Sequence, residues 1–508
     1  MTLHTGTTPA KAPFWWLALC PLLLATLVAS MHLDEFAFNR DELDSLFPAG
    51  IYDSSPGTLV EVWRYDEENH ASQARGWTTL LFVWGRLTGW SEPAIRSISF
   101  FAGLLTLAWL YRAGRDLFAP RAGLFASMLT CGSLFFLSYM LIARSFTLIA
   151  LVTTAILWSY WRLVDTRRQS GPVALPVFFL GCVGLLYSHY FTALILPALF
   201  LFHLLFPPRG RRWRQVLVAL AASAAIALVQ TPGFLQGLSE FASDQELRSA
   251  ALDAARIPHS FLYFMSNFTF RLPAPAGAAL LLLLFLALLR ATWRRRRAGR
   301  RVDAGWLMTF LAGTTFLLMV AANGVVAVVT GSRIRYMISL LPVLALLAGE
   351  GLRINRVRFR LAVAGLLAFW LVLGPALLNS GPVYYIDRHP STFHLVQRWL
   401  QERAGAGDLV ILESSLMDRE VLYLSPQYIR LSDQTWKTVF WNRNDRWQAV
   451  ALALSTYTNL WFVYQPDDPG GDTTPYIAHG SILCERMENL AGYTLERRAT
   501  TARACANP

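Results

Sequence analysis

Residues 89–123 read GWSEPAIRSISFFAGLLTLAWLYRAGRDLFAPRAG, and this stretch decides the fold. An apolar run over residues 93–111 is followed at once by a cluster of arginines. A helix of about 20 apolar residues crosses the hydrocarbon core of a bilayer, and arginine and lysine collect in cytoplasmic loops. The stretch therefore predicts a transmembrane helix whose C-terminal end faces the cytoplasm.

The same pattern recurs along the rest of the chain. Its 508 residues are 54% apolar and only 15% charged, which is not typical of soluble domains. We therefore expect an α-helical polytopic membrane protein with about 11 transmembrane helices. The predicted spans are 13–31, 93–111, 120–138, 146–161, 172–188, 190–206, 215–231, 275–290, 305–325, 336–352 and 361–379.

Orientation follows from the loops between these spans. Most loop arginines fall in alternate loops, which places the N-terminus in the cytoplasm and, after an odd number of spans, the C-terminus outside. The formal net charge of +12 does not indicate nucleic acid, because the arginines stand in short clusters between apolar segments. We expect the chain in a bacterial cytoplasmic membrane, surrounded by membrane lipids, with a periplasmic or extracellular C-terminus.

Three large pieces are expected on the outer face, one of them a loop at about 232–274. The first loop, 32–92, is acidic, and its segment 73–89 predicts an amphipathic helix lying in the membrane interface. After a transmembrane domain of residues 1–379, residues 380–508 alternate helical and strand patterns, including the strands DLVILE and NLWFVYQP. This last piece predicts a small extracytoplasmic α/β domain.

The five cysteines show no spacing typical of a metal site. Cys484 and Cys505 are the two in the C-terminal piece, and in an oxidising compartment they are expected to form a disulfide. A divalent ion in the acidic first loop is conceivable chemically, but a pair of carboxylates alone does not predict one. We therefore expect no cofactor.

Carboxylates just after the first span are the first candidates for chemistry. The stretch MHLDEFAFNRDELDSLF at 31–47 contains Asp34-Glu35 and Asp41-Glu42, seven residues apart and so on similar faces of a helix. A positioned carboxylate at a membrane surface can act as a general base toward a hydroxyl or an amine. On spacing alone, the other explanation is a solvated acidic loop.

Several motifs, taken in order, resemble a known superfamily. After the Asp-Glu pair and residues 89–123 come YMLIARSFTLIAL at 139–151, LLYSHYFTALIL at 185–196 and RIRYMISLLPVLALLAGEGL at 333–352. With AGAGDLVILE in the C-terminal piece, they are similar to bacterial membrane glycosyltransferases of the GT-C superfamily, in the branch of protein O-mannosyltransferases and lipid A aminoarabinose transferases. The resemblance covers nearly the whole chain. It departs at 73–79, where QARGWTT replaces a Pro-Pro-Leu-Tyr-like segment.

The resemblance implies an inverting glycosyltransferase, which moves a sugar from a polyprenyl-phosphate carrier to a lipid, glycan or protein acceptor on the outer face. Asp41 then corresponds to the acidic residue that acts as base, with Glu42 beside it and Asp34 as the alternate. His70 is the candidate to replace contacts that the missing Pro-Pro-Leu-Tyr-like segment would make. The other explanation is a solvated loop histidine.

Arginines near the predicted outer face are the second candidates. A guanidinium binds two phosphate oxygens through its planar fork, and the resemblance assigns Arg144, Arg335 and Arg333 to the phosphate of the donor. Arginines at helix ends also extend to the membrane surface without a function, which is the alternative explanation.

Other residues near these arginines are also candidates. The resemblance places His189, Tyr190 and Tyr336 in the same site, although an aromatic belt at the membrane interface accounts for Tyr190 without a function. Arg96 lies four positions after Glu92, and we expect a structural pairing of the two.

Two other functions compete with the transferase. One is a transporter or flippase for a lipid-linked sugar, and the other is a non-catalytic membrane assembly partner. Transporters typically show inverted repeats and ionisable residues at mid-membrane depth, whereas here the sequence shows no internal repeat and places the ionisable residues at span ends.

Overall fold

The computed structural model describes most of the membrane region and parts of the C-terminal piece. The described residues are 14–35, 38–51, 57–69, 74–165, 171–230, 289, 292–293, 303–325, 335–353, 357–379, 393–405, 408–413, 437–441, 459–464, 482–490, 493–499 and 505. Arg333, His70, the loop at 232–274 and nearly all of the predicted span 275–290 lie outside them.

Helices occupy the described part of the predicted membrane region. We number them in chain order through the described residues. Their bounds are α1 Leu19–Ser30, α2 Arg40–Ala49, α3 Leu59–Asn69, α4 Arg75–Thr88, α5 Glu92–Leu117, α6 Pro120–Cys131, α7 Leu134–Met140, α8 Phe146–Val164, α9 Ala174–Ser188, α10 Ile195–Leu205, α11 Arg211–Ala227, α12 Ala304–Val325, α13 Leu340–Gly351, α14 Val357–Asn379 and α15 Phe393–Gln401.

The helical, membrane-type fold expected from the sequence is confirmed. By length and composition, three described helices can cross a membrane, namely α5, α8 and most of α12, and the bent pair α6 and α7 makes a fourth if it counts as one span. Shorter apolar helices coincide with further predicted spans. The number of 11 spans stays a prediction, whereas the amphipathic helix expected over 73–89 is present as α4.

The predicted span 120–138 is not one continuous helix. It breaks at Gly132 and Ser133 into α6 and α7, which meet at 70°. Ser133 begins the second helix, since its hydroxyl accepts a hydrogen bond from the Phe136 amide at 3.3 Å. At the break, Gly132 lies so close to Trp370 of α14, and Gly374 of α14 so close to the Gly132 backbone, that neither glycine has room for a Cβ. The glycines therefore allow α14 to pack into the bend.

Small residues also bring other membrane helices together. The backbones of α5 and α6 touch at Gly114 and Gly123, and Gly349 of α13 lies against the α6 backbone at Ala122. Hydroxyl groups join the same helices, as where Ser127 donates to the Leu107 carbonyl at 3.1 Å. Close backbone approach and interhelical hydrogen bonds are the contacts that hold helices together in lipid, where the hydrophobic effect between them is absent.

The C-terminal piece contains a five-stranded mixed sheet. The strand order is β2-β1-β3-β5-β4, with β1 parallel to β2 and β3, and with β5 antiparallel to β3 and β4. Cys484 of β4 is joined to Cys505 by a disulfide, with Cα atoms 5.1 Å apart. The strand bounds are β1 Asp408–Glu413, β2 Lys437–Trp441, β3 Asn459–Tyr464, β4 Ile482–Leu490 and β5 Tyr493–Ala499.

The predicted strands DLVILE and NLWFVY are confirmed as β1 and β3, whereas the sequence did not predict β2, β4 and β5. The chain divides into two compact units. The first contains Met1–Met31, Glu67–Trp77 and Ile98–Tyr385, and the second contains His32–Asp66, Thr78–Ser97 and Ile386–Pro508. Since the second unit includes α2 and most of α3 from the first loop, the boundary at residue 380 stays a prediction.

Candidate functional site

Helix α2 carries the Asp41-Glu42 pair in its first turn. Asn39 precedes the helix, and its side-chain oxygen accepts a hydrogen bond from the Glu42 amide at 2.9 Å. In return, the Glu42 carboxylate accepts one from the Asn39 amide at 2.9 Å. This reciprocal capping box satisfies two amides at the helix start, and it fixes where α2 begins and how its first turn is oriented.

Glu42 is also held by an arginine. The Arg96 Nε and Nη2 atoms donate to the two Glu42 carboxylate oxygens, each at 2.9 Å, and Nη1 donates to the Leu33 carbonyl at 3.0 Å. The exposed fractions of the two side chains are 2% and 0%. The guanidinium thus turns its fork toward Glu42 of α2 rather than toward Glu92, the partner expected from the sequence, although the Arg96 charge also acts on Glu92.

Asp41, unlike Glu42, is only half-buried. It lies in the first turn of α2, where the exposed amides of a helix N-terminus favour a negative charge. Its carbonyl accepts a hydrogen bond from the Ser45 hydroxyl at 3.4 Å. The carboxylate that the structure leaves most accessible in this pair is therefore that of Asp41.

The earlier Asp-Glu pair is used differently. Arg398 of α15 donates through Nη2 to both carboxylate oxygens of Asp34, each at 3.1 Å, and both side chains are about half exposed. Glu35 accepts from the His32 ring. Residues 31–35 form turns that precede α2 by several positions, so the two pairs do not share one helix.

A second group of candidates comes together within the first compact unit. The rings of His189 and Tyr336 lie 4.5 Å apart between centroids. The Arg335 guanidinium lies 5.7 Å from the Tyr336 ring and 5.9 Å from the Phe146 ring. Arg144 lies two positions before Phe146. Arg144, His189, Arg335 and Tyr336 are hereafter called the arginine cluster.

Hydrogen bonds to the backbone fix the position of Arg144. The Ser99 hydroxyl of α5 donates to the Arg144 carbonyl at 3.1 Å, and the Thr147 hydroxyl donates to the Ser99 carbonyl at 2.8 Å. Both hydroxyl groups belong to residues that are fully buried. The segment that carries Arg144 and the start of α8 are thereby both anchored to α5.

His189 lies in the junction between α9 and α10, outside both helices. Burial lowers the pKa of His189, and the charges of Arg144 and Arg335 lower it further, to about 3. Its Nδ1 atom is buried and has no hydrogen-bond partner among the described residues. The imidazole is therefore neutral near pH 7, and the positive charge of the arginine cluster comes from its two guanidinium groups. Tyr190 follows it in the same junction and is half-buried.

Gly76, in the stretch that differs from the family pattern, lies close to this junction. A Cβ on Gly76 of α4 would lie 2.9 Å from the Tyr187 carbonyl carbon and Cβ, closer than such atoms approach in proteins. Tyr187 precedes His189 by two positions. The glycine in QARGWTT thus permits α4 to rest on the end of α9, which a larger residue would prevent.

Arg333, His70 and a metal site are the candidates still to be considered. Arg333 and His70 lie outside the described residues, so their proposed roles stay predictions. Within the described ranges, no group of three or more histidine, cysteine, aspartate or glutamate residues could hold a metal ion.

Sequence reasoning missed that Arg96 binds Glu42. Only the Asn39-x-x-Glu42 spacing of the capping box offered a signal, and it indicates the helix start rather than the arginine.

Comparison with known proteins identifies the fold. Residues 76–233 match the family described as dolichyl-phosphate-mannose-protein mannosyltransferase. No curated protein matches the chain. The apo structure of ArnT from Cupriavidus metallidurans is similar over 97% of this chain and 99% of that one, with a TM-score of 0.57 and 11% identity. The chain therefore shares its fold with ArnT.

Two further solved structures share this fold. ArnT from Cupriavidus metallidurans bound to undecaprenyl phosphate covers 97% of this chain and 99% of that one, with a TM-score of 0.54 and 12% identity. The apo oligosaccharyltransferase of Archaeoglobus fulgidus covers 90% and 70%, with a TM-score of 0.50 and 10% identity. At such identities the likeness carries the fold, and the roles of individual residues rest on their own geometry.

Proposed function

We propose that this chain is an inverting glycosyltransferase that takes a sugar from a polyprenyl-phosphate carrier and transfers it to an acceptor on the outer face of a bacterial cytoplasmic membrane. The observation that carries the proposal is the arginine cluster, in which two guanidinium groups flank a neutral histidine within a GT-C fold. A similar structure, that of ArnT, has been solved with undecaprenyl phosphate bound, which supports a lipid phosphate as the ligand.

In the proposed reaction, a hydroxyl or amine of the acceptor attacks the anomeric carbon of the sugar. The bond from that carbon to the phosphate oxygen breaks, and the polyprenyl phosphate leaves with the electron pair. The acceptor loses one proton to a base, so the products are the glycosylated acceptor, the polyprenyl phosphate and a protonated base. Attack from the side opposite the leaving group inverts the anomeric configuration.

Arg144 and Arg335 are proposed to bind the departing phosphate. Their charge stabilises the negative charge that develops on its oxygens, and charge-assisted hydrogen bonds to such oxygens are stronger than neutral ones. A neutral His189 fits this role, because its Nδ1 or Nε2 can donate a hydrogen bond without adding charge. Tyr336 lies against the histidine ring and is proposed to hold its orientation.

Asp41 is proposed as the base, and Glu42 as a positioning residue. The Glu42 carboxylate binds Arg96 and the Asn39 amide, so protonation at Glu42 would break a buried ion pair. Asp41 is half-buried, whereas Glu42 is fully buried, so the Asp41 carboxylate is easier for an acceptor to reach and better suited to take its proton. Asp34 is the weaker candidate, since Arg398 binds both of its oxygens.

The proposal is tested by mass spectrometry of envelope lipids, glycans and proteins from cells with and without the gene. We expect one glycosylated species to disappear on deletion and to return with the wild-type gene, but not with an Asp41→Asn gene expressed at the same level. If the lipid-linked sugar instead accumulates on one side of the membrane while every acceptor in the cell keeps its sugar, the chain is a transporter and the proposal fails.

A further inference from the structure

A groove of about 890 Å³ lies between α9 and α11, away from the arginine cluster. Its walls are apolar, and they are formed by Leu175, Phe179 and Leu180 from α9 and by Val218 and Ala222 from α11. Leu180 and Val218 are 63% and 67% exposed. The groove therefore opens on the exposed face of α9 and α11, where an apolar ligand can enter it.

Two arginines close one end of the groove. Arg211 and Arg214 are in the first turn of α11, both are exposed, and both line the groove. Neither side chain makes a hydrogen bond or an ion pair with another residue in the described part of the chain. Residues three and four apart share one face of a helix, so Arg211, Arg214, Val218 and Ala222 form a single stripe that is cationic at one end and apolar beyond it.

The length of this stripe fits one membrane leaflet. From Arg211 to Ala222 the helix rises roughly 16 Å at 1.5 Å per residue. The hydrocarbon core of a bilayer is about 30 Å thick, so each leaflet contributes about half of that. An acyl chain that starts at the two arginines and follows the groove would thus end near the middle of the membrane.

We infer that this groove binds an anionic phospholipid, whose phosphate contacts Arg211 and Arg214 and one of whose acyl chains lies between α9 and α11. Charge complementarity selects an anionic headgroup, and the apolar walls select a lipid rather than a free phosphate ion. This site is distinct from the donor site in the proposed function, and its existence does not depend on that function.

The test measures lipid binding to the full-length protein in detergent by native mass spectrometry, with dioleoyl-phosphatidylglycerol as the probe. Charge-assisted hydrogen bonds contribute enough that the double variant Arg211→Gln/Arg214→Gln should bind this lipid at least about tenfold more weakly. The matched control Arg209→Gln/Arg212→Gln removes the same charge from residues that do not line the groove, and it should bind like the wild type.

A second variant tests the apolar half independently. Ala222→Phe keeps both arginines and fills the groove, so it should also weaken binding, with thermal unfolding used to show that it is folded. The inference is overturned if Arg211→Gln/Arg214→Gln binds like the wild type, if the control loses as much affinity, or if dioleoyl-phosphatidylcholine binds equally well. Competition by inorganic phosphate, or by undecaprenyl phosphate at equal concentration, would assign the site to another ligand and would overturn it too.

Discussion

Arg96 and Glu42 form a buried ion pair across 54 positions of the chain, with both hydrogen bonds at 2.9 Å. Glu42 is at the same time the third residue of α2 and the partner of the Asn39 amide. The pair therefore joins the first turn of α2 to the start of α5. It thereby also fixes the orientation of the turn from which the Asp41 side chain extends.

Breaking this pair should be costly. Removal of one partner from a buried ion pair typically lowers the free energy of unfolding by 3–5 kcal/mol, because the other charge stays buried without compensation. We expect about this loss for Arg96→Gln, measured by denaturant unfolding in detergent. Arg398→Gln breaks the half-exposed pair with Asp34 and should cost at most about 1 kcal/mol. Equal losses in the two variants would show that the Arg96 pair is not buried in the folded protein.

Asp41→Asn should abolish transfer while the protein stays folded. The amide keeps the size of the side chain but cannot take a proton, so turnover should fall by roughly a hundredfold or more. Donor binding should change little. The measurement is sugar transfer by purified protein, with Asp34→Asn as the matched control. If Asp34→Asn is inactive and Asp41→Asn is active, the base belongs to the earlier pair; if both are active, no carboxylate in this loop is the base.

Arg335→Gln should weaken the binding of undecaprenyl phosphate. Each charge-assisted hydrogen bond to a phosphate contributes about 1.5–3 kcal/mol, so the dissociation constant should rise by about tenfold or more. Binding can be followed by native mass spectrometry or by thermal stabilisation. Arg121→Gln, which removes an exposed arginine at the start of α6, is the control and should bind normally. Unchanged binding by both Arg335→Gln and Arg144→Gln would contradict the phosphate role.

His189 should make the stability of the protein depend on pH. Its pKa is about 3 in the folded protein and about 6.5 in an unfolded chain. The unfolded state therefore binds a proton first as the pH falls, so the contribution of neutral His189 is fully present above pH 6.5 and is lost progressively below it. Thermal unfolding at neutral and mildly acidic pH should show a larger loss for the wild type than for His189→Gln. Parallel losses would mean that the histidine titrates normally.

The disulfide predicts a redox dependence of the C-terminal sheet. Cys484 and Cys505 are 21 positions apart, and closing a loop of that order stabilises a fold by about 3 kcal/mol. In protein isolated from the membrane, both thiols should resist alkylation until a reductant is added, and Cys484→Ser should unfold at lower temperature. Rapid alkylation of both cysteines without reductant would contradict the pairing and the outer location of this piece.

The sequence predicted the elements whose signal is local. Apolar length located α5 and α8, and buried-strand runs located β1 and β3. Strand β5 was not predicted because its sequence is not apolar. Arg497 and Arg498 are buried in it, and Arg498 forms an ion pair with Glu496, with 2.9 Å between Nε and Oε2. Glu496 and Arg498 pair with each other within β5, so charged residues occupy buried positions where a strand pattern predicts apolar ones.

The candidate site shows the same contrast between residues that local motifs indicate and contacts that only the structure reveals. Asp41, Arg144, His189 and Arg335 were identified from motif order, and the structure brings the last three together in one cluster. The partner of Arg96 could not be found in this way, because a contact across 54 positions leaves no periodic trace. Glu92, four residues away, was the nearest carboxylate along a helix, and nearness along the chain was a poor guide.

The break between α6 and α7 has a consequence for how this chain can vary. Seven residues of α7 separate Ser133 from the turn that holds Arg144, and each helical residue advances the chain by 1.5 Å and rotates it by about 100°. One inserted or deleted residue in α7 would swing Arg144 around the helix axis and away from His189, whereas a conservative substitution would not. We therefore expect the length of α7 to be fixed, whereas its individual residues can be substituted conservatively.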